Sequence, residues 1–156
     1  MELATLIEAG RGHRRIHLLG HRDDLPSLIA SADICIHAAR NEGLPRVVLQ
    51  YALGGKPIIA TNLPGIECVV RSDVNGSLVP VDEPRQVSHE FLKLACDKAR
   101  QQKFARASLA LDLSAWATER MVQRIQDIYL DVLGGAPGSS VDGSGCFAAR
   151  SSSASV

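Results

Sequence analysis

Ile34-Cys35-Ile36-His37-Ala38-Ala39-Arg40-Asn41-Glu42-Gly43-Leu44-Pro45-Arg46-Val47-Val48-Leu49-Gln50-Tyr51-Ala52-Leu53-Gly54-Gly55-Lys56-Pro57-Ile58-Ile59-Ala60 reads as strand, loop, helix and strand. Ile34-Cys35-Ile36 is rich in β-branched residues and predicts a buried strand. Gly43 lets the backbone turn sharply without a side-chain clash. Pro45 suits a first helical position, where its missing N–H costs nothing. The helix it opens runs to Leu53 and is stopped by Gly54-Gly55. Pro57-Ile58-Ile59-Ala60 is the next strand. Both strands are continuously apolar rather than alternating, which argues for parallel pairing with helices over both faces.

The alternation extends outward from this unit. Upstream, Arg15-Ile16-His17-Leu18-Leu19 predicts a strand ending at Gly20, and Leu25 to Ala32 a short helix with Pro26 in its first turn and Asp24 as cap. Leu3 to Ala9 reads as the end of a helix. Downstream, Ile66 to Arg71 predicts a short helix, and Asn75-Gly76 a turn into the strand Ser77-Leu78-Val79. From Glu83 to about Leu133 the pattern is helical. The last helix, Ser114 to Leu133, carries a stripe of Trp116, Met121, Val122, Ile125, Ile128 and Tyr129, for which core packing is the default and which would be exposed if this chain held no partner for it.

The fold class is therefore α/β: a Rossmann-like parallel sheet with helices on both faces and a helical C-terminal extension, spanning residues 1–133. A doubly wound domain opens with a strand, and this chain opens on a helical pattern, so the domain is expected to be incomplete at its N-terminal end. Residues 134–156 are rich in Gly, Ser and Ala and are expected to be a disordered tail.

The chain has 156 residues, 46% apolar and 22% charged, enough for one domain with its own core. Lys plus Arg and Asp plus Glu are equal at 17 each, which leaves no basic footprint for nucleic acid. No apolar run approaches the roughly 20 residues of a membrane span, and the first residues do not read as a signal peptide. Cys35, Cys68, Cys96 and Cys146 lack zinc or redox spacing. Cys35 reads as a small core residue, and reduced thiols are expected.

In an open parallel sheet, ligands bind outside the carboxyl ends of the strands. The loop from Ala38 to Leu44 leaves the strand around Ile36, so Glu42 falls on that edge. The N–H groups of Arg46 and Val47 lie at a helix start, a ready site for phosphate, and Glu42 beside them can hold hydroxyls. A phosphorylated, hydroxyl-rich ligand fits this pair, and a nucleotide sugar is one. His17 and His37 read as core or rim residues. His21-Arg22 lie on the ligand edge as a solvated loop. Arg40 and Arg46 are surface cations able to offset phosphate charge. Lys56 is expected to serve the carboxyl end of the helix it follows.

Asn41 to Gln50, with Gly55-Lys56-Pro57-Ile58-Ile59-Ala60-Thr61, resembles the retaining glycosyltransferases of family 4. Pro64-Gly65, Asp73-Val74-Asn75-Gly76-Ser77-Leu78-Val79-Pro80, Leu18-Leu19-Gly20-His21-Arg22-Asp23-Asp24-Leu25 and Ser31-Ala32-Asp33-Ile34 continue the match, over roughly Met1 to Leu133. The resemblance implies the second, donor-binding domain of the two-domain GT-B architecture. It gives Glu42 the catalytic place beside the sugar hydroxyls. It gives Gly43, Leu44, Pro45, Arg46 and Val47 the turn and amides at the diphosphate, and Gln50 the ribose. Gln50 stands where the family has a second Glu. Cys68, after Glu67, stands where the family often has a Glu.

The resemblance further implies a nucleotide diphosphate sugar as donor substrate, a UDP-sugar first, with no cofactor and no metal. It implies a glycan or lipid acceptor and a partner N-terminal Rossmann-like domain. It places the protein in the cytoplasm, with room for peripheral association at the inner face of the membrane, in polysaccharide biosynthesis. The acceptor side and the basic residues that neutralise the diphosphate belong to regions outside this sequence, so the chain alone is expected to be inactive. Two other functions remain open: a nucleotide-sugar epimerase of similar shape, and a non-catalytic nucleotide-sugar-binding or interaction domain. The lack of a G-x-G-x-x-G run argues against a dinucleotide-dependent dehydrogenase.

Overall fold

Ile58, Ile59 and Ala60 are 0%, 0% and 1% exposed, so the strand they form is covered on both faces. The computed structural model describes residue 5, residues 15–43 and residues 45–134. Its elements are α1 (Leu25–Ser31), β1 (Cys35–His37), α2 (Arg46–Leu53), β2 (Ile58–Thr61), β3 (Gly76–Val79), α3 (Pro84–Ala95), α4 (Lys98–Leu109) and α5 (Thr118–Gly134), with 3-10 turns at Ile66–Cys68 and Ser114–Trp116. The sheet has the order β1-β2-β3. Both pairings are parallel, with Cys35 opposite Ile58 and Ile58 opposite Gly76. Ile58 and Ala60 pack with Val48 and Ala52 of α2 and with Ile66, Val69 and Val70. Ile59 and Val79 pack on the other face with Leu94 of α3 and Phe104 of α4. The α/β, Rossmann-like arrangement expected from the sequence is the one observed.

Several elements differ from expectation. Residues 16–20 form no strand. Ile16, Leu18 and Leu19 are each at least half exposed, and a strand without a neighbour has no ladder to hold it. β1 lies at the sheet edge, and Ile36 is 40% exposed, so this strand is not buried on both sides. α2 begins at Arg46; Pro45 is its N-cap, with φ −70° and an extended ψ of 111°, not its first helical residue. Asp24 caps α1 by position, but its carboxylate accepts from Arg22 Nε at 2.7 Å instead of from first-turn amides. The long helical run breaks at Asp97, whose carboxylate accepts from the Arg100 amide at 2.8 Å and starts α4. It breaks again before the Ser114–Trp116 turn.

No residue of α5 is buried. Met121, Val122, Ile125, Ile128 and Tyr129 are all exposed, so the core packing expected of the stripe does not occur. Its main neighbour is the Ser114–Trp116 turn, and no described element lies across its apolar side. Cys35 and Cys96 are free, and burial pushes the Cys35 thiol up. Cys68 is disulfide-bonded, against the expectation of reduced thiols. The helix expected over Leu3 to Ala9 and the tail from residue 135 lie outside the described residues.

The end of α2 shows how glycine closes a helix here. Gly55 has φ +65°. Its N–H donates to Ala52 O at 2.9 Å and that of Lys56 to Tyr51 O at 3.0 Å, the paired bonds of a left-handed helix stop. A side chain on Gly54 would lie 2.6 Å from Ile29 Cγ2, so glycine also lets α1 approach. Lys56 Nζ donates to Ala30 O at 2.8 Å. The ammonium thus serves the last turn of α1, not of the helix it follows.

The turn expected at Asn75-Gly76 forms, over residues 73–75 and into β3, and Asn75 is fully buried within it. Its Oδ1 accepts from the Arg71 amide at 2.7 Å and its Nδ2 donates to Val69 O at 2.9 Å. Ser108 Oγ, within 3.5 Å of Nδ2, donates to Lys56 O at 2.9 Å. These bonds join α4, the approach to β2 and the loop before β3. A Cβ on Gly76 would strike the Ile58 carbonyl oxygen, so only glycine allows this register.

Asn75→Ala strands the buried Val69 carbonyl and the part-buried Arg71 amide and is expected to cost about 2–4 kcal/mol, measured by urea unfolding. Glu90, on α3, supplies a pH test. Burial pushes its carboxyl up, but hydrogen bonds from Lys93 and Ser77 and the charges of Lys93 and Arg100 outweigh burial and hold it low. A carboxyl held low stabilises the fold above its ordinary range, and that stability is lost as pH falls through the folded value. Glu90→Gln should therefore lower the melting temperature at pH 7, and the gap to the unaltered chain should close as the pH falls into the acid range.

Candidate functional site

The loop between β1 and α2 leaves the carboxyl end of the sheet, as expected. Its two ends are anchored. At the start, Thr61 Oγ1 donates to Ala39 O at 2.7 Å, and Arg40 Nε meets Asp82 Oδ1 at 2.6 Å. At the far end Pro45 is fully buried. Between these anchors Asn41, Glu42 and Gly43 are exposed, and Leu44 lies outside the described residues. Glu42 therefore stands at the crest of the loop, directly before the start of α2.

Arg46 is exposed and Val47 half-buried. As the first two helical residues they have amides with no partner inside α2. The Val48 amide is already taken by Pro45 O at 3.0 Å. Gln50 is exposed one turn further on, on the same side of α2 as Arg46. It borders a hollow of about 310 Å³ with Pro26, Ile29, Leu53 and Gly54. Glu42, Gly43, Arg46 and Val47 do not border that hollow; they are neighbours along the chain at the start of α2, and Gln50 follows one turn later.

Gly43 differs from the reading of a glycine forced by a tight turn. Its φ lies outside the left-handed region, and a Cβ placed there meets nothing within 4 Å among the described residues. Nothing in the described chain requires a glycine at this point. Its lack of a side chain leaves the loop backbone open to approach from outside.

Beside the loop lies a larger hollow of about 530 Å³, bounded by Ala38, Ala39, Arg40, Thr61 and the start of α3 from Asp82 to Ser88. Sequence reading missed it. Thr61 follows an apolar strand and gives no sign along the chain of its bond to Ala39. The helix-start pattern Asp82-Glu83-Pro84 was the one available signal. His17 and His21 are exposed, and His37 is half-buried with Nε2 sealed from solvent and unpaired. Among the described residues, no group of three or more His, Cys, Asp or Glu is placed to hold a metal ion. No helix among them is long and apolar enough to cross a membrane.

A family model described as glycosyl transferases group 1 matches residues 1–97. UDP-Gal:alpha-D-GlcNAc-diphosphoundecaprenol alpha-1,3-galactosyltransferase of Escherichia coli is 25% identical over 122 residues, covering 77% of this chain and 31% of that protein. D-inositol 3-phosphate glycosyltransferase of Salinispora tropica is 29% identical over 107 residues, 69% of this chain and 22% of the relative. The chain thus spans about a third or less of these relatives' length. Among solved structures, sucrose-phosphate synthase from Thermosynechococcus elongatus superposes with a TM-score of 0.74 at 17% identity, over 85% of this chain and 34% of that one. Anabaena Alr3699/HepE in complex with UDP-glucose gives a TM-score of 0.61 at 27% identity, over 78% of this chain and 32% of that one.

Because Gly43 has open space and no left-handed φ, Gly43→Ala is expected to leave chain stability unchanged or raised by up to about 1 kcal/mol, as read by thermal melting.

Proposed function

The chain belongs to the group 1 glycosyl transferases, and on that premise we propose that it forms the donor-binding part of a retaining glycosyltransferase. The reaction is transfer of a hexose-type sugar from a nucleotide diphosphate sugar to a glycan or lipid acceptor. The observation that carries this reading is the position of Glu42 and Gly43, on the crest of the loop that leaves β1 and runs into the start of α2.

In this reading the donor lies along α2. Glu42 accepts hydrogen bonds from sugar hydroxyls. The backbone beside Gly43, Leu44 and Pro45 makes room for the diphosphate, and the Arg46 and Val47 amides donate to it. Gln50 accepts from a ribose hydroxyl through its amide oxygen. Gln50 stands four residues after Arg46, about 6 Å along the helix axis, a spacing suited to a diphosphate at one end and a ribose at the other. As the sugar leaves, negative charge builds on the diphosphate. Fixed N–H groups and the positive end of α2 stabilise that charge. The chain's own part is to bind and orient the donor and to receive this charge. Acceptor binding belongs to a second Rossmann-like domain beyond this sequence, so the isolated chain binds donor without transferring it.

UDP is the favoured nucleotide. The Anabaena protein is described with UDP-glucose and with UDP bound, and the Escherichia coli relative is named for UDP-Gal. The same name carries a diphosphoundecaprenol acceptor. An acceptor of that kind would bring the protein to the cytoplasmic face of a membrane, in the making of a surface polysaccharide.

Calorimetric titration with UDP-glucose tests the proposal. Glu42→Ala should weaken binding at least tenfold, a loss of about 1.5–3 kcal/mol for hydrogen bonds to a carboxylate. Gln50→Glu should strengthen it several-fold, because a charged acceptor replaces a neutral one at a gain of about 1 kcal/mol. A chain that ignores UDP, GDP, ADP and their sugars alike, with Glu42→Ala also silent, would reject the donor site.

A further inference from the structure

We propose that Thr61 is a positioning residue for Glu42, an inference that rests on the reading of Glu42 as the group that holds the sugar hydroxyls. Thr61 is the last residue of β2 and is 4% exposed. Its hydroxyl donates to the Ala39 carbonyl at 2.7 Å, linking two loops far apart in sequence. Ala39 is the second residue after β1 and the third before Glu42. A tie at Ala39 therefore acts on the chain segment that delivers the carboxylate, since three residues reach at most about 10 Å.

The anchor itself is rigid. Thr61 pairs with Val79 in the parallel ladder, and the next amide, Asn62 N–H, donates to Val79 O at 2.7 Å. Thr61 lies on the sheet face of Ile59 and Val79, beneath α3, and borders the larger hollow with Ala38 and Ala39. A second tie follows at Arg40 and Asp82, but their side chains are 82% and 62% exposed, where an ion pair contributes little. The buried hydroxyl is the stronger restraint. Valine in its place fills the same volume and leaves the Ala39 carbonyl without its donor. The loop start is then free to shift, and a carboxylate displaced by a fraction of an ångström loses its fit to hydroxyls.

A structural role alone would weaken all ligands together, whereas a positioning role acts on the sugar. The test titrates the full 156-residue chain with UDP-glucose and with UDP, and reads the ratio of the two Kd values. Glu42→Ala should abolish the preference for UDP-glucose. Thr61→Val should lower it about three- to tenfold with UDP binding within twofold of the unaltered chain, and Thr61→Ser should keep it. In the Glu42→Ala background, Thr61→Val should change the ratio no further. If the valine variant does not fold, Thr61→Ala carries the same comparison. A preference lost with Glu42→Ala but intact with Thr61→Val overturns the inference alone, as does an equal loss for both ligands. No preference in the unaltered chain, or a silent Glu42→Ala, removes the reading of Glu42 and the inference with it.

Discussion

Strand β2 meets water on neither face, and its neighbours β1 and β3 take both of its edges. A strand in that position has no solvent to satisfy its peptide groups, so the ladders on both sides are obligatory. The register of β3 depends on a glycine facing the Ile58 carbonyl. The buried amide of Asn75 ties that register to α4 through Ser108. With the sheet fixed in this way, its carboxyl edge becomes a stable platform, and the loops that rise from it inherit a definite position. The candidate site thus rests on a core buried away from the surface.

Local pattern made this architecture legible. The apolar strands around Ile36, Ile58 and Leu78, and the helix between Pro45 and the glycine pair, are written in short stretches that need no knowledge of the rest of the chain. Where the reading failed, the cause lay across the chain. Residues 16–20 have the composition of a strand but pair with no strand among the described residues. The α5 stripe has the periodicity of a packed helix, but among the described residues no element covers it. The turn at Asn75 forms as read, and what composition could not show is that its side chain is a buried hydrogen-bonding centre. Composition records what a segment can do, and only the neighbours decide whether it does so.

The candidate site divides in the same way. Glu42, Gly43, Arg46 and Val47 are candidates read from their spacing, because a loop that leads into a helix start is a local pattern. Gln50 was placed by resemblance, and the helix carries it one turn away, beside a separate hollow. Thr61 was invisible as a contributor, since its contact joins the end of β2 to the loop after β1. The exposed crest of the loop and its buried anchors have different demands. The crest is open to solvent, while the anchor at Thr61 satisfies the protein's own Ala39 carbonyl.

The parallel sheet also sets an order in time. No pairing in it is made by a hairpin, so each ladder must wait for a helix-bearing crossover to close. Loop entropy is spent before any strand bond returns it. β2 belongs to both crossovers and completes its ladders only when the second has closed. Because the Thr61 anchor stands at the end of that strand, the loop beside it takes its final shape as the sheet is finished. The bond from Thr61 to Ala39 thus couples the shape of the loop to the pairing of β1 with β2.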